Sequence, residues 1–335
     1  MPDHLLDALA VAADDPAQLS DDHALALLGA DGDDLERLAA TADALRRARV
    51  GDDVTFVVNR NLDAERVGAD LHHVRDLVAE AVGLGATEVC VQGPVPVAAG
   101  PKGYLELVRA VREAGPGVHL HAFRVPEVLD AAHRRGSTVR EFLLAARDAG
   151  LGSVPGTAAK VLDDGVRTRL NGGVPDLPVA EWVRVLTTAH EVGLTSTSVL
   201  VHGGPETGAQ QVAHLRLLAA IARRTGGVTE FIAMPAPWGD PSPRAVRALH
   251  AVARLLLDGA VDHVQVAWPK HAPGLVTQLL AGGGDDLGGL LLDGVLDPAA
   301  GQEAGTTLTR QRAAALTGGR PLRQRTTRYG RPAPV

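Results

Sequence analysis

Cysteine is nearly missing from this 335-residue chain, which has one, Cys90. A single thiol excludes an internal disulfide framework and leads us to expect a reducing, cytoplasmic setting. It also leaves the chain unable to supply several thiolates to one metal centre. Aromatic residues are scarce at 3%, so a core has to come from Ala, Val and Leu, for which 45% hydrophobic content suffices. Lysine occurs only at Lys102, Lys160 and Lys270. A net charge of −7 gives no positive field for phosphate backbones, so no nucleic-acid partner is expected. No apolar run approaches a membrane span. The opening MPDHLLDALAVAADDP has no basic n-region and does not read as a signal peptide.

What is present is an alternation of strands and helices. Residues 18–49 read as two helices, the second with Leu35, Leu38, Ala42 and Leu45 at helical spacing and Asp33 and Asp34 at its positive end. After Gly51 come seven short runs that read as strands. They are VTFVV (54–58), TEVCVQ (87–92), VHLHAF (118–123), GSVPG (152–156), TSTSVLVH (195–202), EFIAMP (230–235) and HVQVAW (263–268). Between them lie amphipathic stretches at 70–83, 102–114, 137–149, 178–192, 209–225 and 243–258. Strands separated by helices predict parallel pairing through right-handed crossovers, in a closed or partly closed barrel. No Ser- or Pro-rich linker divides the chain. The expected division is a helical cap (1–50), a barrel (51–317) and a basic tail (318–335). That tail carries Arg320, Arg323, Arg325, Arg328 and Arg331 and no acid. We expect it to be a solvated extension packing along an acidic barrel, not a nucleotide-binding arm.

In a parallel barrel, ligands gather where the strands end. That rule selects Asn59, Asn61, Gln92, Thr157 and Ser198 as ligand-binding residues, and Asp285 in GGGDDLGG (282–289) for a sugar hydroxyl or cation. His119, His121, His202 and Lys160 are the candidates for acid–base or covalent chemistry. His119 and His121 are two apart on one strand and share a face. Two histidines make a poor metal site and no spacing demands a third ligand, so no metal is expected.

Several segments, in order, resemble one family. GDDVTFVVNRN (51–61), ATEVCVQG (86–93), VHLHAF and AGLGSVPGTAAKVLDD (149–164) are followed by TTAHEVGLTSTSV (187–199), RRTGGVTEFIAMP (223–235), GGGDDLGG and RQRTTRYG (323–330). Together they resemble the deazaflavin (FO) synthase subunit CofH, or the C-terminal half of FbiC, from about residue 16 to about 330. The resemblance implies an α/β fold of radical S-adenosylmethionine type, a (β/α)₆ partial TIM barrel. It also implies ancestry in the joining of a tyrosine-derived hydroxybenzyl group to 5-amino-6-ribitylaminouracil.

That family holds a 4Fe–4S cluster on C-x₃-C-x₂-C and uses it with S-adenosylmethionine. Here the sequence passes from Asn59-Arg60-Asn61 into LDAERVGADLHHV without the cysteine loop. Gln92-Gly93-Pro94 stands where the family has Gln-Gly-Gly, and Lys160 where it has a carboxylate. From these departures no cofactor is expected, neither cluster nor S-adenosylmethionine. Whether the chain is an enzyme stays open. One reading is a pseudoenzyme that binds a uracil-, ribityl- or deazaflavin-type molecule, or that partners an active FO synthase subunit. A second is a repurposed enzyme doing polar chemistry. A third is the transferase itself, with a partner supplying the cluster.

Overall fold

Valine-rich runs bounded by glycine and helix caps form strands that are buried on both faces, as a parallel barrel requires. In the computed structural model, which describes residues 2–291 and 307–329, the strands in chain order are β1 (Val54–Asp63), β2 (Glu88–Gln92), β3 (His119–Ala122), β4 (Ser153–Val154), β5 (Thr195–His202), β6 (Val228–Pro235), β7 (His263–Val266), β8 (Asp286–Leu291) and β9 (Leu322–Gln324). Each strand from β1 to β8 pairs with the next, all parallel, and β8 pairs in turn with β1, so the barrel closes.

This corrects the expected (β/α)₆ partial barrel: eight strands close where seven were anticipated. The eighth lies in DLGGLL, where Gly288 and Gly289 weaken the strand signal. Both glycines are required by their neighbours. A Cβ at Gly289 would fall 2.0 Å from Asn59 Oδ1, and one at Gly288 would fall 2.5 Å from Gln265 Nε2. The two amide side chains lie across β8 because that strand has no side chain there.

β9 was not anticipated either. It adds to the lower part of β1, with Val54 opposite Leu322 and Phe56 opposite Gln324, while β2 takes the upper part from Asn59 to Asp63. The basic segment is therefore part of the sheet. Arg325 is 1% exposed, so the expectation of a solvated extension fails at that residue. Arg331 lies outside the described residues.

The six predicted helical stretches form within about two residues of their expected bounds, as Leu71–Gly83, Gly103–Ala114, Val139–Ala149, Val179–Glu191, Gly208–Thr225 and Pro243–Leu256. At the N-terminus, α1 (Pro2–Asp14) precedes the two expected helices, α2 (Asp21–Leu28) and α3 (Gly32–Val50). A Ser20–His23 capping box starts α2, and Asp31 caps α3 ahead of Asp33 and Asp34. Leu27, Leu38 and Ala42 of this group pack with Leu249, Val252 and Leu256 of the helix Pro243–Leu256. The N-terminal helices thus cover a flank of the barrel. Among the described residues, no helix is long and apolar enough to cross a membrane.

Candidate functional site

Alternate residues of each strand point into the barrel, and that alternation builds one cavity. Val57, Asn59 and Asn61 face it from β1, Glu88, Cys90 and Gln92 from β2, and Glu230, Ile232 and Met234 from β6. His121, Thr157, Thr197 and Gln265 complete its polar wall, and the whole encloses about 580 Å³. At the C-terminal ends of the strands the opening is bordered by Asp63, Arg124, Trp268 and Lys270. Trp268 is fixed by its indole N–H donating to Gly289 O at 2.9 Å. Arg124 is occupied by Glu127, the Nε lying 3.0 Å from Oε2.

The lower end is closed by the C-terminal segment. Arg325 donates to Asp286 through Nε (2.6 Å) and Nη2 (2.9 Å), and through Nη2 to Glu230 (3.1 Å). The Thr327 hydroxyl donates to Glu88, and the Tyr329 hydroxyl to Glu230. Tyr329 also stacks on His263, with centroids 3.4 Å apart and planes 2° from parallel. Burial pushes Glu230 up to about 7, against the pull of Arg325 and with help from the nearby Asp286 charge. Sequence reasoning missed this floor altogether. The available signal was a glutamate inside each of two strands otherwise built for burial, TEVCVQ and EFIAMP.

The expected site residues divide into two groups. Asn59, Asn61, Gln92, His121 and Thr157 come together on the cavity. Asn59 donates to Asn61 Oδ1 at 3.1 Å, and Gln92 lies 3.4 Å from the Cys90 sulfur. Asn59 Oδ1 and Thr157 Oγ1 are buried with no hydrogen-bond partner among the described residues. Buried polar atoms of this kind call for a partner from outside the protein, water or ligand.

His119, Lys160, Ser198, His202 and Asp285 do not line the cavity. Ser198 and His202 have the opposite parity from Thr197, Val199 and Val201, and the two valines pack with the cavity-lining Ile232 and Met234. Lys160 sits in a backbone conformation with φ +47° and gives its ammonium to Asp176 at 2.7 Å. Its side chain is held by a carboxylate outside the barrel, which leaves it no access to a carbonyl in the cavity. Asp285 bonds to His263 (2.6 Å) and the Val264 N–H (2.8 Å), and pairs with Arg254. Against the cost of burial, the His263 bond and the Arg254 charge hold its carboxyl below the usual range. It ties the start of β8 to β7 instead of meeting a ligand.

His119 and His121 meet at one hydroxyl. Ser153 Oγ lies 2.7 Å from His119 Nε2 and 2.6 Å from His121 Nδ1. A hydroxyl has one proton, so it donates to one ring and accepts from the other. Burial pushes His119 down to about 4 and His121 to about 3, so both are neutral near pH 7. His121, the one of the two that lines the cavity, suits hydrogen bonding to a neutral ligand better than service as a charged acid.

The sequence resemblance puts the family's cluster loop in the turn after β1. β1 ends at Asp63, whose carboxylate caps the next helix, Ala64–Val67, through the Glu65 N–H at 3.0 Å. No cysteine lies in that turn, and Cys90 is buried in β2 on the cavity wall. The chain's own donors, with one thiol, do not fit a cluster held by three thiolates.

No family model matches the chain. Among curated proteins it is 41% identical to the FO synthase of Nocardia farcinica, across 99% of this chain and 42% of that protein. It is also 41% identical to the FO synthase of Mycobacterium tuberculosis strain H37Rv, across 97% and 42%. The chain thus spans about two fifths of the length of these relatives. With the 5-amino-6-(D-ribitylamino)uracil–L-tyrosine 4-hydroxyphenyl transferase of Archaeoglobus fulgidus it shares 35% identity, across 86% of this chain and 91% of that one. Among solved structures it superposes on methylornithine synthase with a TM-score of 0.69 at 16% identity, covering 94% of this chain and 97% of that one. For the hydrogenase maturase HydG from Carboxydothermus hydrogenoformans the TM-score is 0.71 at 11% identity, covering 98% and 81%. These structural likenesses bear on fold alone. The expectation that no cofactor is involved is overturned by this kinship, because FO synthases use a 4Fe–4S cluster and S-adenosylmethionine. Kinship and donor set disagree, and the single thiol is where they do.

Proposed function

The chain belongs to the FO synthase family, and from that premise we propose that its barrel holds a polar small molecule of uracil, ribityl or deazaflavin type. In this reading the protein is a ligand-binding member of the family, or the partner of an active synthase. The observation that carries it is the pair of buried, unpartnered oxygens on the cavity, Asn59 Oδ1 and Thr157 Oγ1. A pyrimidine imide edge supplies a donor to Asn59 and takes hydrogen bonds from Gln92 and Asn61. The neutral His121 adds a further polar contact without adding charge.

The test is a thermal-shift series with 5-amino-6-(D-ribitylamino)uracil, deazaflavins and flavins. At least one should raise the melting temperature by mass action, and His121→Ala and Gln92→Ala should remove the shift while the protein stays folded. If none of the compounds moves the transition, the ligand reading fails.

A second reading is favoured by the Archaeoglobus relative, which the alignment covers almost end to end. Here the protein carries out the aminoribityluracil–tyrosine transfer that names that relative, with the cluster's thiolates coming from outside this chain. Product formed only when a second, cysteine-bearing subunit is added would favour it.

A further inference from the structure

The cavity has two chemically different ends, and the lower one has an excess of negative charge. Glu88 and Glu230 line it directly, with Asp286 beside them. The one guanidinium on this floor, Arg325, has its Nε and Nη2 engaged by Asp286 and Glu230. Three carboxylates therefore face one cation among the described residues of the floor. Such a surface accepts hydrogen bonds from hydroxyl groups and repels anions.

β2 also sets a length. Glu88, Cys90 and Gln92 all face the cavity, and four residues of strand separate the floor from the amides at the mouth, about 13 Å. That span matches a flat heterocycle at the mouth with a short polyol chain below it. The upper walls, with Asn61, Gln92 and Trp268, suit the ring, and the carboxylate-lined lower end suits the hydroxyls of the chain.

We propose that Glu88 and Glu230 are specificity-determining residues that receive the terminal hydroxyls of a ribityl chain and exclude its phosphate ester. The inference rests on the ligand class proposed above and adds an orientation and a selection rule to it. Burial of Glu230 sharpens the rule. A phosphate brought to the floor would add up to two negative charges to a poorly solvated site, whereas a hydroxyl adds none. Arg325 does not rescue the phosphate, because that would require it to leave carboxylates that are themselves buried.

The experiment is calorimetry on the full chain with two probes, 5-amino-6-(D-ribitylamino)uracil and its 5′-phosphate. The wild-type protein should bind the free alcohol at least about tenfold more tightly, a difference of about 1.4 kcal/mol. Glu230→Gln and Glu88→Gln keep the size and one acceptor oxygen and replace each carboxyl by a neutral amide. Each should narrow the ratio, chiefly by improving binding of the phosphate, and if one variant fails to fold the other still decides. Equal or tighter binding of the phosphate by the wild type overturns the proposal. So does a ratio unchanged in both variants, even when both probes bind. Binding of neither probe overturns the ligand class itself, and with it this inference.

Discussion

The two ends of the lumen satisfy their polar groups in opposite ways. At the floor, each carboxylate already has a partner from the C-terminal segment: Asp286 and Glu230 have Arg325, and Glu88 has Thr327. Toward the mouth, amides and a hydroxyl stand around open space, and Asn59 Oδ1 and Thr157 Oγ1 have no partner in the protein. Pairing that is complete within the protein contributes to folding, whereas pairing left incomplete is available to a ligand. The floor should therefore govern stability and, through the carboxylate lone pairs still open to the lumen, the choice between ligands, whereas the mouth should govern affinity.

Acid should act with opposite signs on the buried histidines and on the floor. Burial holds His119, His190 and His202 down at about 4, and His121, His214 and His250 at about 3, against 6.5 when unfolded. Their folded values are depressed, so the unfolded chain binds protons first. Their stabilisation is complete above pH 6.5 and is lost as pH falls toward 4, by up to about 1.4 kcal/mol per pH unit for each ring. Glu230 runs the other way. Its folded value is raised to about 7 from 4.5, so its contribution is present below pH 4.5 and is lost as pH rises through 7. Urea midpoints should fall steeply from pH 6.5 to 5, and more steeply in Glu230→Gln by about one proton. A flat wild-type profile would contradict the neutral buried histidines.

Arg325→Ala attacks the floor directly. It leaves Asp286 and Glu230 buried without their cation, and should cost about 3–5 kcal/mol in equilibrium unfolding. A loss below about 1 kcal/mol would mean that the floor is solvated. Gly289→Ala lies between the regions. Its Cβ would collide with the Asn59 amide, for a loss of about 1–3 kcal/mol together with weakened ligand binding. The smallest stability change is expected at the mouth. Gln92→Ala should shift unfolding by less than about 1 kcal/mol yet remove the ligand-induced thermal shift, and large destabilisation with binding intact would reverse the comparison.

The sequence was readable where local pattern and burial agree. Seven strands and six helices emerge from β-branched runs and helical spacing alone. β8 escaped because its glycines serve side chains on other strands, Asn59 and Gln265, a long-range fact that no window contains. β9 escaped because an arginine-rich segment reads as solvated until its carboxylates are found on β2, β6 and β8. The division within the site has a similar cause. TSTSVLVH carries polar and apolar residues on both faces, so period-two alternation shows that Ser198 and His202 share a side without showing which side is the lumen. Closure of the barrel decides that, and it turns them away from the cavity.

The contact between Thr327 and Glu88 spans 239 residues of chain. At ribosomal speeds of about 5–20 residues per second, Glu88 waits roughly ten to fifty seconds for its hydroxyl to be synthesised. Throughout that interval the nascent strands can associate while their carboxylates still lack the guanidinium of Arg325. The segment from Leu322 to Tyr329 thus acts as a latch on biogenesis. Until it emerges, Asp286, Glu230 and Glu88 lack the partners that close the lower end of the barrel.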